Sequence, residues 1–170
     1  QPDVVHFHNI HHGFSYACLK TAKKFGARVF MTLHDVMSFT YEKLDSFIDK
    51  KNVTIPKTFI YKMSLWQKLT VAKKRFNPMR TFFVSYYFTY ADKLFAVSDA
   101  LRCALEQNGI RNIVTIRNGL DLDRFKNNFD IEDFKKKISL ENAKVVLFVG
   151  RLTPPKGSES LFAAFASVSG

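Results

Sequence analysis

The chain has 170 residues, 46% of them hydrophobic, enough for one ordinary domain with a real core. Its formal charge of +11 asks for an anionic partner: nucleic acid, a membrane surface or a phosphorylated substrate. No apolar run approaches the roughly 20 residues of a membrane-spanning helix, and the two cysteines, Cys18 and Cys103, sit on apolar faces of predicted helices, as buried thiols of a reducing compartment rather than a disulfide or metal pair.

Pro2 to Asn9, PDVVHFHN, reads as a strand with Val4, Val5 and Phe7 as its apolar part. Four of the five histidines, His6, His8, His11 and His12, lie between Asp3 and Gly13. Their spacing is poor for a metal, since no cysteine or carboxylate nearby completes a tetrahedral set, and no metal is expected. In open parallel sheets, polar residues at the carboxyl ends of strands face the ligand crevice. His8 and Asn9 occupy such an end, while His6 is expected to pack inside.

Phe14, Cys18, Thr21, Ala22 and Phe25 repeat at helical spacing, and Gly26 follows as a C-terminal cap. Ala27 to Asp35 is a second strand, so the two strands and the helix form a βαβ unit with a parallel pair. His34 and Asp35 close that strand, again at the crevice. Two readings of His34 stand at this point: a ligand-facing imidazole, or one bonded to a neighbouring loop. Asp35 is placed to orient it or to cap the following turn.

Met37 to Tyr90 holds weak helical patterns broken at Pro56 and Pro78. Within it begins a basic, aromatic helical segment, residues 54–91, with Lys57, Lys62, Lys68, Lys73, Lys74, Arg75 and Arg80 and no acidic residue. Such a segment can cover the sheet, rest on an anionic membrane surface, or hold single-stranded nucleic acid by stacking.

Asp92 to Ile110 is a strand-to-helix passage. Leu94 to Val97 is the strand, Ser98 the N-cap, and Asn108-Gly109 the stop, with Leu101, Ala104 and Leu105 facing the core. Asn112 to Phe125 is a further strand and a turn, where Asn118-Gly119 suits a positive φ. Asp130 to Ser139 is a charged helix or linker. Val145 to Val149 reads as a strand buried on both faces, ending at Gly150. The chain then turns through Pro154 and Pro155 into a helical pattern with Leu161, Phe162, Phe165 and Val168 on one side. Arg151 and Lys156 put two cations beside that turn, either as part of a phosphate site at the helix start or as solvated charges on a surface loop.

Five segments in order carry a resemblance: H-x-H-N-x-H-x-G from His6, T-x-H ending at His34, A-D-K-L-x-A-V-S from Ala91, N-G-x-D-x-x-x-F from Asn118, and G-R-L-x-x-x-K-G from Gly150. Together they resemble retaining group 1 (family 4) glycosyltransferases of the GT-B type. The resemblance implies an α/β fold, a Rossmann-like parallel sheet with flanking helices, forming part of a GT-B fold. It implies an internal fragment: residues 1–142 from the second half of the N-terminal, acceptor-side domain, and 143–170 as the first strand and helix of the nucleotide-sugar-binding domain. The family's glycine-rich loop would precede Gln1 and its paired-glutamate motif would follow Gly170, so the fragment alone is expected to be inactive.

The activity implied is that of a hexosyltransferase-type enzyme moving a sugar from a UDP- or GDP-linked donor to an acceptor hydroxyl with retained configuration. By the same resemblance, His34 is catalytic, Gly150, Arg151 and Lys156 bind the donor diphosphate, and His8 and Asn9 border the acceptor. No cofactor is implied beyond the donor substrate. The partners implied are the nucleotide-sugar and a glycan or lipid-linked acceptor, with membrane contact in preference to nucleic acid. The location implied is cytoplasmic, peripheral on the inner face of the membrane. The rival from a different class is a non-enzymatic basic module that binds a membrane surface or nucleic acid through residues 54–91.

Overall fold

The computed structural model describes residues 1–10, 13–41, 60–126, 130–153 and 156–168. His11, His12, the Thr54–Phe59 part of the basic segment, Pro154 and Pro155 lie outside the described residues. The chain divides into two compact units, Gln1–Leu120 and Asp121–Gly170.

The first unit is built on a parallel sheet of four strands, β1 (Val4–His8), β2 (Arg28–Leu33), β3 (Lys93–Ala96) and β4 (Ile113–Thr115), in the order β1-β2-β3-β4. The α/β, Rossmann-like arrangement expected from the sequence is therefore present. Each strand is short, and β1, β2 and β4 are rich in β-branched or aromatic residues. The register pairs Phe7 with Met31, Met31 with Leu94 and Leu94 with Ile113, so these four share one face. On that face Val29, Met31, Leu33, Leu94, Ala96 and Ile113 are buried in one core with Leu19, Val84, Phe88, Leu101, Ala104 and Leu105. Those last six come from α1 (Ala17–Lys24), α3 (Pro78–Phe88) and α4 (Asp99–Gln107). Burying each large side chain of this set stabilises the fold by about 1.5–3 kcal/mol.

The opposite face is half-open. Phe30 stacks on Phe95 with centroids 5.8 Å apart, and His6 meets both rings edge-on at 6.5 and 5.8 Å. His6 is exposed there, not packed inside as expected. It shares its strand face with His8, and strand alternation sends Val5 and Phe7 to the covered side.

Helix ends follow their caps. Ser98 Oγ accepts from Leu101 N–H at 3.2 Å, as the sequence suggests. The Asn77 side chain caps α3 through Met79 N–H at 3.0 Å, and Pro78 takes the first helical position. The helix α2 (Leu65–Ala72) carries a capping box between Ser64 and Gln67. The stop of α1 is Gly26 at φ 83°, a backbone region that glycine enters without strain. The buried stripe of α1 is Leu19, flanked by half-buried Cys18 and Ala22; Phe14 and Phe25, which share the helical spacing, precede and follow the helix and are exposed. In α2, Ala72 is buried while Leu65, Trp66 and Leu69 are exposed. The segment leading into α2 is pinned by the end of α4. Asn108 Nδ2 donates to Tyr61 C=O at 2.7 Å and to Ala104 C=O at 2.9 Å, and Met63 N–H donates to Asn108 Oδ1 at 3.0 Å. Neither Asn118 nor Gly119 takes the positive φ expected of it. No hydrogen-bonded turn forms there, so nothing forces the backbone into that region.

The second unit holds α5 (Ile131–Lys137), capped by Asp130, and α6 (Ser158–Val168). The buried strand predicted over Val145–Val149 is absent. That stretch has no regular structure, and Val145, Val146, Leu147 and Val149 are all exposed. A strand buried on both faces exists only where neighbours take up its N–H and C=O groups, and this unit has no strand among its described residues.

Candidate functional site

The carboxyl ends of β1 and β2 lie side by side, because the parallel register sets His8 opposite Thr32. The residues just beyond each strand then meet. His8 Nδ1 and His34 Nε2 are 3.1 Å apart, with ring centroids at 5.4 Å. The contact needs one nitrogen to carry the proton and the other to accept it. Both rings are exposed, and the second nitrogen of each, His8 Nε2 and His34 Nδ1, has no hydrogen-bond partner among the described residues.

Asn9 fixes this geometry. Its Oδ1 accepts from His34 N–H at 3.0 Å, and its Nδ2 donates to Asp35 Oδ2 at 3.0 Å. Its backbone sits at φ 39°, a region where asparagine is the best tolerated residue after glycine. Asp35 Oδ1 accepts from Met37 N–H at 3.0 Å and so caps the turn after β2. Behind the pair, His6 Nε2 bonds Thr32 Oγ1 at 2.9 Å, and its ring centroid lies 4.4 Å from that of His8. Partial burial, and secondarily the His8 ring, hold the His6 imidazole below its ordinary value of 6.5. The first unit thus brings together His8, Asn9, His34 and Asp35.

The network continues to a residue that the sequence marks only as one cation in a run. The guanidinium of Arg80 on α3 donates to the C=O of Met37 and to that of Thr40, the latter at 3.3 Å, and lies 4.7 Å from the Tyr41 ring centroid. Arg80 therefore ties α3 to the loop that follows His34 and Asp35. Beside it opens a cleft of about 330 Å³ whose lining includes Phe14, Tyr16, Asn77, Arg80, Phe83 and Tyr87. The Tyr16 side chain is buried and its hydroxyl has no hydrogen-bond partner among the described residues. Burial pushes that phenol up to about 12, against the opposing pull of Arg80. The only sequence trace of this cleft was the mixture of aromatics and arginine in α3, which periodicity alone reads as a covering helix.

In the second unit Gly150, Arg151 and Lys156 are all exposed. Thr153 N–H donates to Arg151 C=O and Lys156 N–H to Thr153 C=O, each at 2.8 Å. Gly157, at φ 75°, then leads into α6, whose first turn carries Glu159. A carboxylate at that position competes with an incoming anion for the helix start.

Among the described residues no three His, Cys, Asp or Glu side chains are grouped to hold a metal ion. No helix formed by them is long and apolar enough to cross a membrane.

Comparison with curated proteins and with solved structures returns no match. A family model, Glycosyltransferase Family 4, matches residues 1–124, which is most of the chain and includes the sheet and all four residues at the strand ends. The parallel sheet, the polar strand ends and this match agree: the chain belongs to Glycosyltransferase Family 4.

Proposed function

We propose that the protein carrying this chain transfers a sugar from a nucleoside diphosphate donor to an acceptor hydroxyl, with retention of configuration. The observation that supports this reading best is the His8–His34 pair, whose second ring nitrogens have no partner among the described residues, at the carboxyl edge of a parallel sheet. His34 is assigned to the donor, positioned through its backbone N–H by Asn9. His8 and Asn9 are assigned to the acceptor side, where a ring nitrogen can hold an attacking hydroxyl. Gly150, Arg151 and Lys156 are assigned to the donor diphosphate. The positive charges of Arg151 and Lys156 stabilise the negative charge that builds on the leaving group, which lowers the barrier without a protein nucleophile. UDP or GDP is the nucleotide, and a glycan or lipid-linked glycan is the acceptor. The chain is then an internal portion of the enzyme.

Titrating UDP and GDP into the protein that carries this chain, native against Arg151→Ala, tests the diphosphate role. A loss of affinity of about tenfold is expected for the removal of one charge-assisted contact. Unchanged affinity for both nucleotides removes that role from Arg151.

A further inference from the structure

The cleft beside Arg80 has no role in the assignments made so far. Its volume of about 330 Å³ falls at the small end of the range for ligand pockets, roughly 300–1,000 Å³. One wall is the segment that leads from β1 into α1, with Phe14 and Tyr16. The other is α3, with Asn77 as its cap and Arg80, Phe83 and Tyr87 along it. Arg80 also holds the Met37 and Thr40 carbonyls, in the loop that follows His34 and Asp35. The cleft therefore borders the strand-end site.

The chemistry of the lining identifies the ligand. Phe14 and Phe83 are 74% and 49% exposed, and with Tyr87 they offer ring faces on which the flat C–H side of another ring can lie. Between them stand polar groups. Asn77 spends its Oδ1 on Met79 N–H at 3.0 Å, and its Nδ2 has no acceptor among the described residues. Tyr16 is 9% exposed, with no partner for its hydroxyl among the described residues; a buried group in that state costs about 1–3 kcal/mol until something bonds it. Arg80 is the one charged side chain among the described residues of the lining. It contacts two carbonyls and the Tyr41 ring, and no carboxylate among the described residues pairs with it. A ring with an apolar face, an edge of hydroxyls and a single negative charge meets all of these groups. A nucleotide base would stack on the same walls, but its phosphates bring more charge than one guanidinium balances. An acyl chain would leave Asn77, Tyr16 and Arg80 with nothing to bond.

We propose that this cleft binds a sugar unit carrying a carboxylate, of the uronic-acid kind, with its ring against Phe14 and Phe83 and its carboxylate on the Arg80 guanidinium. The unit is part of the acceptor, away from the hydroxyl held at His8. In assigning it to the acceptor the proposal rests on the transferase reading, whereas the binding itself requires no donor. Arg80 is then a specificity-determining residue, which separates acidic from neutral acceptors. An acidic glycan also suits a chain of formal charge +11.

Three probes, methyl glucuronide, methyl glucoside and glucose 6-phosphate, are titrated into the protein that carries this chain and followed by ligand-observed NMR. The glucuronide should bind about tenfold more tightly than the glucoside, the effect of one charge-assisted contact, and more tightly than the sugar phosphate. Arg80→Gln should erase that preference. A double variant, Phe14→Ala with Phe83→Ala, removes two exposed side chains and should weaken both glycosides while its circular dichroism stays native. It decides the matter by itself if Arg80→Gln does not fold. The proposal is overturned by no binding of the glucuronide, by equal binding of glucuronide and glucoside, or by tighter binding of the sugar phosphate. Native glucuronide affinity in the double variant, or an unchanged preference in a folded Arg80→Gln, overturns it equally. None of these results alters the UDP and GDP titration described above, so the cleft and the donor reading fail separately.

Discussion

Replacing Asn9 by alanine removes a side chain that bonds both His34 and Asp35 across the ends of β1 and β2. Two hydrogen bonds go with it: the 3.0 Å bond from His34 N–H and the 3.0 Å bond to the Asp35 carboxylate. The first is neutral and worth about 1 kcal/mol net, and the second is charge-assisted and worth about 1.5–3 kcal/mol. Asn9 is only half-buried, and water replaces part of both, so about 2 kcal/mol is a fair total. Alanine at φ 39° adds backbone strain of about 1 kcal/mol, which glycine avoids. Urea unfolding followed by far-ultraviolet circular dichroism should therefore rank native above Asn9→Gly by about 2 kcal/mol. Asn9→Gly should in turn exceed Asn9→Ala by about 1 kcal/mol. The imidazole resonances of His8 and His34, read by NMR, should lose their fixed environment in both variants. If Asn9→Ala unfolds within about 0.5 kcal/mol of native, a surface-level effect, Asn9 is not the hub described above.

Asn108→Ala should cost about 2–3 kcal/mol in the same assay, since it removes the bonds to Met63 N–H and to the Tyr61 C=O next to buried side chains; native stability would refute the pinning role. Ser98→Ala should lower stability by about 1 kcal/mol through loss of the α4 cap, with Ser98→Asp restoring most of it. Asp92 accepts from Lys23 Nζ at 2.7 Å and from Val29 N–H at 2.7 Å, and these bonds, Lys23 first, hold its carboxyl below the ordinary 3.8. A depressed carboxyl stabilises the fold above its unfolded value and stops doing so as pH falls through its folded one. The stability gap between native and Asp92→Asn should thus be full at neutral pH and shrink below about pH 3.8; a gap constant into that acid range would refute the linkage.

Much of the first unit was legible because its cues are local. Ser98 before Asp99 and the Leu101, Ala104, Leu105 spacing specify α4 within a few residues, and the structure agrees. The meeting of His8, Asn9, His34 and Asp35 was legible for another reason: parallel strands deliver all their carboxyl ends to one edge. What failed depended on partners distant in sequence. Val145–Val149 has a strand's composition but no neighbouring strand among the described residues of its unit. Phe14 and Phe25 match helical spacing, yet the turn hydrogen bonds place the helix ends between them. Arg80 gains its meaning only from the Met37 and Thr40 carbonyls, about forty residues away, a separation at which no spacing rule operates.

The alignment of β1 on β2 has a consequence for how the chain can misfold. Side chains alternate along a strand, so shifting β1 by a single position would carry His8 to the covered side and bring Phe7 out beside His34. The helices and most of the core would survive that error, and bulk spectroscopy would score such a molecule as folded. The imidazole–imidazole contact would not survive it, which makes this pair a molecular gauge of correct strand alignment, readable by NMR in every preparation before any activity is sought.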